Sequence, residues 1–170
     1  MFWENVKRRI TAVAIQLKHA EEGGKSNMAK SAYYRSATML VSTIVEGLVY
    51  HLTKKHTADN GNIIDNLIEL KKIHQLPTGV LGRNDICLCK SSTKDINIDD
   101  DGVTFQKLNR FLRKRGIISE KELRALDYVR KERNKLHLQG LDVQDVGYTK
   151  SKFNRVARPV DFLTRKINTP

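Results

Sequence analysis

The residues best suited to chemistry in this sequence stand together in its last third, between Arg130 and His137. A helix turns about 100° per residue, so Arg130, Arg133 and His137 would lie within about 60° of one another, with Asn134 about 40° to one side. Histidine can move protons near neutral pH because its unperturbed pKa is about 6.5. Arginine stays charged and binds phosphate oxygens through a planar fork of N–H groups. The spacing therefore predicts a helical face that combines phosphate binding with proton transfer.

A helix start precedes these residues. Ser119 and Glu122 have the spacing of a capping box, in which each side chain accepts a hydrogen bond from the other residue's backbone N–H, so we expect a signature helix over residues 119–138. Its apolar stripe runs directly into Arg130, and arginine is rarely buried without a partner, so this face is expected to line a cleft or an interface between two chains. The alternative is an arginine network that only holds the helix end, with His137 as an ordinary core histidine. The opposite side is expected to face solvent and carries Arg124, Tyr128, Lys131, Glu132 and Lys135.

The segment V-R-K-E-R-N-K-L-H-L-Q-G, residues 129–140, resembles the signature of the HEPN superfamily. Members of that family are all-α proteins marked by an arginine, four to six further residues and a histidine, often with an asparagine after an arginine. Arg130 and His137 fit this pattern with six residues between them. Arg133-Asn134 is similar to the Arg-Asn pair, but only three residues separate Arg133 from His137. The motif therefore leaves open which arginine has the principal role.

This resemblance, which covers about residues 28–140, implies an activity and an assembly. It implies a metal-independent endoribonuclease that cleaves RNA through attack by the RNA's own 2′-hydroxyl, with Arg130, Arg133, Asn134 and His137 as the catalytic set. It also implies a homodimer that brings two copies of His137 into one cleft. The family context suggests toxin–antitoxin or antiviral defence, with an antitoxin or a nucleotidyltransferase-type protein as partner. Members without nuclease activity also exist, so the alternative is a helical dimer that binds RNA or a partner protein.

A second element bears on the same site. Residues 28–54 predict a long helix whose second half is apolar on nearly all sides, as expected for the central helix of a bundle. Glu46 is the only acid in it. Because a lone carboxylate in apolar surroundings needs a partner, we expect Glu46 to support the site by pairing with Arg130 or Arg133.

Apolar spacings of three and four residues recur along most of the chain and predict an all-α fold. We expect a single domain over residues 1–170, an antiparallel bundle of about five to six helices that forms a dimer. Short runs at Ile86–Cys89 and Asp95–Asp99 predict a small β-hairpin insertion within residues 84–100. The remaining helices are expected from residue 3 to the Gly23-Gly24 pair, and at residues 63–73, 104–115 and 150–168.

Local signals refine these limits. Asn27 is a candidate cap for the long helix. Pro159 is expected to kink or divide the last helix, because proline lacks a backbone N–H and its ring crowds the preceding turn. The first helix is expected to pack through one apolar face, formed by Trp3, Val6, Ile10, Val13 and Leu17.

The chain is strongly basic, with a formal net charge of +12 and an isoelectric point near 9.8. Residues 104–137 hold eleven Lys and Arg against four acids, which favours a polyanionic partner, RNA above all. The alternatives are simple solvation of cations at a helix C-terminus, and an adaptor that recognises the anionic surface of another enzyme. RNA contacts are expected at the end of the helix over residues 104–115, from Arg110, Arg113, Lys114 and Arg115.

Several classes of protein and site are not expected. No run approaches the ~20 apolar residues of a membrane span, and the N-terminus lacks a signal-peptide layout, so we expect a cytoplasmic protein without a membrane partner. Cys87 and Cys89 are poorly placed for a mutual disulfide and are expected to be reduced. The segment from Asp95 resembles part of a calcium loop, but Asp100 stands where glycine is needed and Gln106 where glutamate is needed. No metal or other cofactor is therefore expected.

Overall fold

The computed structural model describes residues 1–75, 87–138 and 147–169, without the side chains of residues 60, 67–75, 87–89, 137 and 138. Over these residues the chain is mostly helical, with five α-helices and a two-stranded antiparallel sheet, which confirms the expected mainly helical fold with a small β element. The elements are α1 (Phe2–Glu21), α2 (Asn27–Thr57), β1 (Ile63–Gln75), β2 (Cys87–Asn97), α3 (Phe105–Lys114), α4 (Glu120–Leu138) and α5 (Lys150–Asn168).

The longest helix, α2, is the centre of the fold, as its sequence predicts. It contacts each of the other four described helices, and its second half is buried through residues such as Val45, Leu48 and Leu52. Hydroxyl side chains within this buried surface bond to carbonyl oxygens one turn earlier, as Thr38 does to Tyr34 at 2.7 Å. The helix therefore carries polar residues into the core without leaving their donors unpaired.

Local hydrogen bonds fix where two helices begin. Ser26 caps α2, because its Oγ accepts from the backbone N–H of Ala29 at 3.2 Å. The expectation that Asn27 is the cap is wrong, since Asn27 is already the first residue of the helix. At α4 the expected capping box forms, with the N–H of Ser119 donating to Glu122 Oε2 at 2.7 Å and the N–H of Glu122 donating to Ser119 Oγ at 3.3 Å.

Residues 63–97 have a different secondary structure from the one that the sequence predicts. Residues 63–73, predicted as a helix, belong to strand β1, which pairs with β2 from Ile63 opposite Asn97 to Gln75 opposite Cys87. The hairpin predicted within residues 84–100 is also wrong. The described residues of its two predicted strands, 87–89 and 95–99, lie largely in the single strand β2. Residues 84–86 lie outside the described part of the chain. The isoleucines of residues 63–73 are β-branched and favour extended backbone, although their spacing also fits a helix.

The sheet joins the bundle at the end where β1 begins and β2 ends. Ile64 and Ile96 are buried in the shared core, and Ile98, just after β2, is buried with them. The chain then turns towards α3, whose N-cap Thr104 accepts from the backbone N–H of Lys107 at 3.3 Å. This connection places the first residues of α3 beside α2.

Helix α1 packs less completely than its sequence suggests. Val6 and Val13 are buried, as expected. Trp3 and Ile10 are exposed, so the expectation that they join the core face is wrong. These two residues are seven positions apart, which places them on the same side of the helix. An apolar strip is thus left on the surface.

Helix α5 runs through Pro159, which is buried, so the proline does not divide the helix. The alternative expectation, a kink, stays a prediction. Packing against α2 and α4 holds the helix on both sides of the proline. At its C-terminal end, Lys55 Nζ donates to the carbonyl oxygen of Ile167 at 3.0 Å and also to that of Thr169, which occupies carbonyls left open by the end of the helix. Within the described ranges, no helix has both the length and the apolar character to cross a bilayer.

Candidate functional site

A cleft of about 540 Å³ opens where α2, the N-terminal end of α3 and the second half of α4 meet. One wall is charged and polar and comes from α2 and α4. The other wall is mainly apolar and comes from the start of α3 and the residue pair before it. The lining residues are Glu46, Tyr50, Val103, Thr104, Phe105, Gln106, Leu108, Arg130, Arg133 and Asn134.

Glu46 and Arg133 form the structural link of the charged wall. Arg133 Nη1 lies 2.8 Å from Glu46 Oε1, and the two side chains are 34% and 21% exposed. This is the second of the two pairs that the sequence predicts for Glu46. The Nε of Arg133 is buried and has no hydrogen-bond partner among the described residues. Arg133 is therefore fixed at one end of its guanidinium group. Because the unpartnered Nε is enclosed by protein, a ligand would have to approach the terminal N–H groups.

Arg130 is held more loosely. Its Nε lies 3.4 Å from Oδ1 of Asp127, one turn earlier on α4. The side chain is half-buried and lines the same cleft as Arg133. Because a guanidinium group has five N–H donors, this single long contact leaves most of them for a ligand. Arg130 thus has the properties of a ligand-binding arginine, and Arg133 those of an arginine positioned by a carboxylate.

Two further members of the predicted catalytic set belong to α4. Asn134 is exposed and lines the cleft beside Arg133. His137 belongs to the last turn of the helix, four residues after Arg133 and so on the same side of it. The side chain of His137 lies outside the described residues. The structure therefore brings together Arg130, Arg133, Asn134 and Glu46, and it does not place the imidazole.

Tyr50 is a lining residue of α2 that the sequence does not mark as part of the site. Its hydroxyl donates to Oδ1 of Asp99, just after β2, and Lys54 Nζ lies 3.6 Å from the other oxygen of that carboxylate. The hydrogen bond to Asp99, together with burial and the negative charge, raises the pKa of the Tyr50 hydroxyl. The available signal was position, because Tyr50 follows Glu46 by four residues and must share its side of the helix.

The start of α3 supplies the apolar wall. Phe105 and Leu108 pack against the core while lining the cleft. Thr104, the N-cap of α3, lies at the same edge, so the positive end of that helix dipole is directed at the cleft region. The predicted helix over residues 104–115 gave the position of this element but not its role in the site.

The predicted RNA-binding cluster lies at the other end of α3, and none of its four members lines the cleft. Arg113 lies 3.3 Å from Glu120, and Lys114 lies 3.5 Å from Asp65. The guanidinium of Arg115 sits 5.6 Å from the ring centroid of Phe111. Arg110 is exposed and has no ion-pair partner in the part of the chain that the structure describes. The cluster is thus a separate, partly neutralised surface.

One expectation about α4 is wrong. Glu132, placed by the helical wheel on the solvent side, is only 4% exposed and lies 2.8 Å from Lys135. The reason is that α5 packs against this side of α4, where Arg155 stacks over Tyr128 at 3.9 Å. Helix α4 therefore packs against three neighbours, α2, α3 and α5, and its exposed sector is narrower than the sequence predicts.

Among the described residues, no three His, Cys, Asp or Glu side chains are close enough to hold a metal ion. Cys87 and Cys89 are both in β2, and their side chains lie outside the described residues.

No protein-family model, curated protein or solved structure matches this chain. The resemblance to the HEPN superfamily consequently depends on the motif at residues 129–140 and its helical setting. Any functional assignment has to start from the cleft itself.

Proposed function

We propose that this protein is a metal-independent endoribonuclease of the HEPN type, with its active site in the cleft between α2, α3 and α4. The observation that carries the proposal is the pair of arginines on α4 that line one cleft while Glu46 fixes one of them. Two cations beside an apolar wall match a nucleotide, which combines phosphate oxygens with a flat base.

The proposed reaction needs no metal because RNA carries its own nucleophile. The 2′-oxygen attacks the adjacent phosphorus and loses its proton to a base, while the bond from phosphorus to the 5′-oxygen breaks and that oxygen takes up a proton. The products are a 2′,3′-cyclic phosphate and a 5′-hydroxyl. We assign the proton transfer to His137, whose residue type suits neutral pH.

The arginines have separate roles in this proposal. Arg130 binds the phosphate, whose charge increases in the transition state, so a fixed cation there lowers the barrier. Arg133, tied to Glu46, orients the site and offers a second N–H to the phosphate. Asn134 is a hydrogen-bonding neighbour at the mouth of the cleft.

We further propose that the active form is a homodimer. A two-sided proton transfer is served better by two histidines than by one, and two-fold symmetry would supply both. Met39 precedes Glu46 by seven residues and so shares its side of α2, and it is 39% exposed. A single exposed apolar side chain is common on protein surfaces, so the proposed dimer rests on the need for two histidines, and Met39 marks the face where we place the second copy. By the same resemblance, the proposed setting is a cytoplasmic toxin or defence nuclease neutralised by a partner protein.

The second candidate is a non-catalytic helical module that binds RNA or a partner protein. Two observations favour it: the Arg133-Asn134 pair stands one residue closer to His137 than the motif requires, and Glu46 neutralises Arg133. A binding surface should lose affinity gradually as cations are removed, whereas a catalytic site should depend sharply on His137. An adaptor for another enzyme's anionic surface would not bind RNA at moderate salt.

The test is RNA cleavage in EDTA by the full chain, with end-group analysis of the fragments. Wild-type protein and His56→Ala, an exposed histidine at the end of α2, should both produce ends with 2′,3′-cyclic phosphate, and His137→Ala should produce none. Cleavage that persists in His137→Ala would exclude the assigned role of His137. If none of the three proteins cuts RNA while all bind it equally, the binding module becomes the better description.

A further inference from the structure

Tyr50 combines exposure with a fixed orientation. The residue is 36% exposed and lines the cleft, while its hydroxyl is tethered to Asp99 across from α2. Lys54 adds a second constraint, because its Nζ lies 5.7 Å from the ring centroid and also 3.6 Å from the Asp99 carboxylate. An aromatic ring that is held at its tip, flanked by a cation and partly exposed in the lining can be reached by a ligand from the cleft.

The position of the ring relative to the charged wall is equally specific. Tyr50 follows Glu46 by one helical turn, and Glu46 holds Arg133 at 2.8 Å. The aromatic ring and the arginines therefore line one cleft. Along α2, Tyr50 lies about 6 Å from Glu46, the residue that holds Arg133. Phe105, the other aromatic residue of the lining, packs against the core and is less accessible.

We propose that Tyr50 is a stacking platform for one unpaired RNA base, next to the phosphate bound by Arg130, and that the cleft therefore selects single-stranded RNA. This inference rests on the proposed function and names its substrate class. Sequence-tolerant recognition of single strands depends on such a combination of cations for the backbone and aromatic rings for the bases. A base inside a duplex is already stacked on both faces, so it cannot use the ring.

A purely structural role for Tyr50 makes a different prediction. If the residue only ties α2 to the segment after β2, its hydroxyl matters and its ring face does not. Tyr50→Phe removes the hydroxyl and keeps the ring, whereas Tyr50→Leu removes both. The two variants therefore separate stacking from tethering.

The experiment measures binding of the full chain to a short 2′-O-methyl RNA that contains 2-aminopurine, in EDTA, as a single strand and as a duplex. The 2′-O-methyl groups prevent cleavage, so binding is observed whether or not the protein is a nuclease. Stacking quenches 2-aminopurine fluorescence. We expect quenching of the single strand by wild type and by Tyr50→Phe, and a loss of quenching with about 5- to 150-fold weaker binding for Tyr50→Leu. Duplex affinity should not change.

Each other outcome has one meaning. If wild type binds the single strand without quenching its fluorescence, the inference is overturned, even if Tyr50→Leu fails to fold. The inference is also overturned if Tyr50→Phe and Tyr50→Leu lose quenching and affinity for the single strand to the same extent. In both cases the proposed nuclease function can still hold, and cleavage of unmodified RNA decides it. If wild type binds no RNA at all, the inference and the proposed function fail together.

Discussion

The carboxylate of Glu46 in α2 lies 2.8 Å from Nη1 of Arg133 in α4, and this ion pair joins the central helix to the helix that carries the candidate site. Both side chains are partly shielded from water, so their attraction is stronger than that of an exposed pair. The pair fixes one end of the Arg133 guanidinium and leaves its Nε without a described partner. The same contact thus joins two helices and sets the orientation of an arginine that lines the cleft.

Replacing Glu46 with Gln should therefore affect stability and ligand binding together. We expect Glu46→Gln to lower the free energy of unfolding by about 1–2 kcal/mol, since a charge-assisted hydrogen bond is lost from a half-buried site. RNA affinity should fall as well, because Arg133 loses its orientation. Urea denaturation measures the first effect and fluorescence anisotropy with labelled RNA measures the second.

The matched control is Asp161→Asn, which breaks the exposed pair with Arg165 at 2.6 Å on α5. That variant should change stability by no more than about 0.5 kcal/mol, because both side chains are fully hydrated before and after. Equal stability of Glu46→Gln and wild type would show that the pair adds nothing to the fold.

The capping box of α4 predicts a pH dependence. Burial acts to raise the pKa of Glu122, but hydrogen bonds with Ser119 and the charge of Lys166 outweigh it, so the pKa lies below its usual range. A carboxyl group whose pKa is lower in the folded state stabilises above its unfolded value, about 4.3, and loses that contribution as the pH falls through the folded pKa. Glu122→Gln should thus be less stable than wild type at pH 7, with the difference shrinking in acid.

Denaturant titrations at pH 7 and at low pH measure this difference. Glu4→Gln serves as the comparison, because Glu4 is an exposed acid in the first turn of α1 that pairs with Lys7 at 3.0 Å. A gap between Glu122→Gln and wild type that stays constant with pH would mean that the cap works through geometry and not through charge.

The buried amide of Asn109 in α3 should be a weak point of the core. The residue is fully buried, and neither its oxygen nor its nitrogen has a hydrogen-bond partner among the described residues. Burying an unpaired amide is costly, so Asn109→Leu should raise the free energy of unfolding by about 1–2 kcal/mol. Asn109→Ala should gain less, since it leaves a cavity. Thermal and urea unfolding measure the stability of both variants. If Asn109→Leu is less stable than wild type, the Asn109 amide has a hydrogen-bond partner in solution.

The sequence predicts those parts of the fold that depend on residues close to one another along the chain. The α4 capping box and the central position of α2 follow from neighbouring residues, and both are confirmed. Residues 63–73 have apolar spacings compatible with two periodicities, and only pairing with β2 decides between them. That pairing is a long-range contact, which no local window contains.

In the candidate site too, the residues marked by a local sequence signal are predicted, and those that depend on long-range contacts are not. A lone acid in an apolar helix needs a partner, so the sequence predicts an ion pair for Glu46, and in the structure its partner is Arg133. Tyr50 reads as one more apolar residue of α2, and its role appears only when Asp99, forty-nine residues away, is brought beside it. The helical wheel of α4 places Glu132 towards solvent because it does not reveal that α5 covers a second side of the helix.

The basic cluster of α3 should act as an electrostatic contact and not as part of the site. Arg110→Gln with Lys114→Gln should weaken binding of all RNA sequences alike and reduce the salt slope by about 0.7 per lost phosphate contact. The matched control is Lys7→Gln with Arg8→Gln, which removes two exposed cations from α1. If both double variants change the slope equally, net charge alone is responsible and the cluster has no special position.

The proposed dimer places Met39 at the interface. A glutamate there would bury a charge against the second copy, so Met39→Glu should convert the dimer to a monomer, and RNA cleavage should fall because each cleft loses the second histidine. The control is Ile15→Glu, which introduces the same charge in α1, outside the proposed interface. Ile15 is 49% exposed and lies about 140° around the helix from Ile10, the exposed isoleucine described above. Sedimentation velocity measures the assembly. Wild-type protein that sediments as a monomer while cleaving RNA would show that one cleft is sufficient, and His137 would then have to act with the arginines of its own chain.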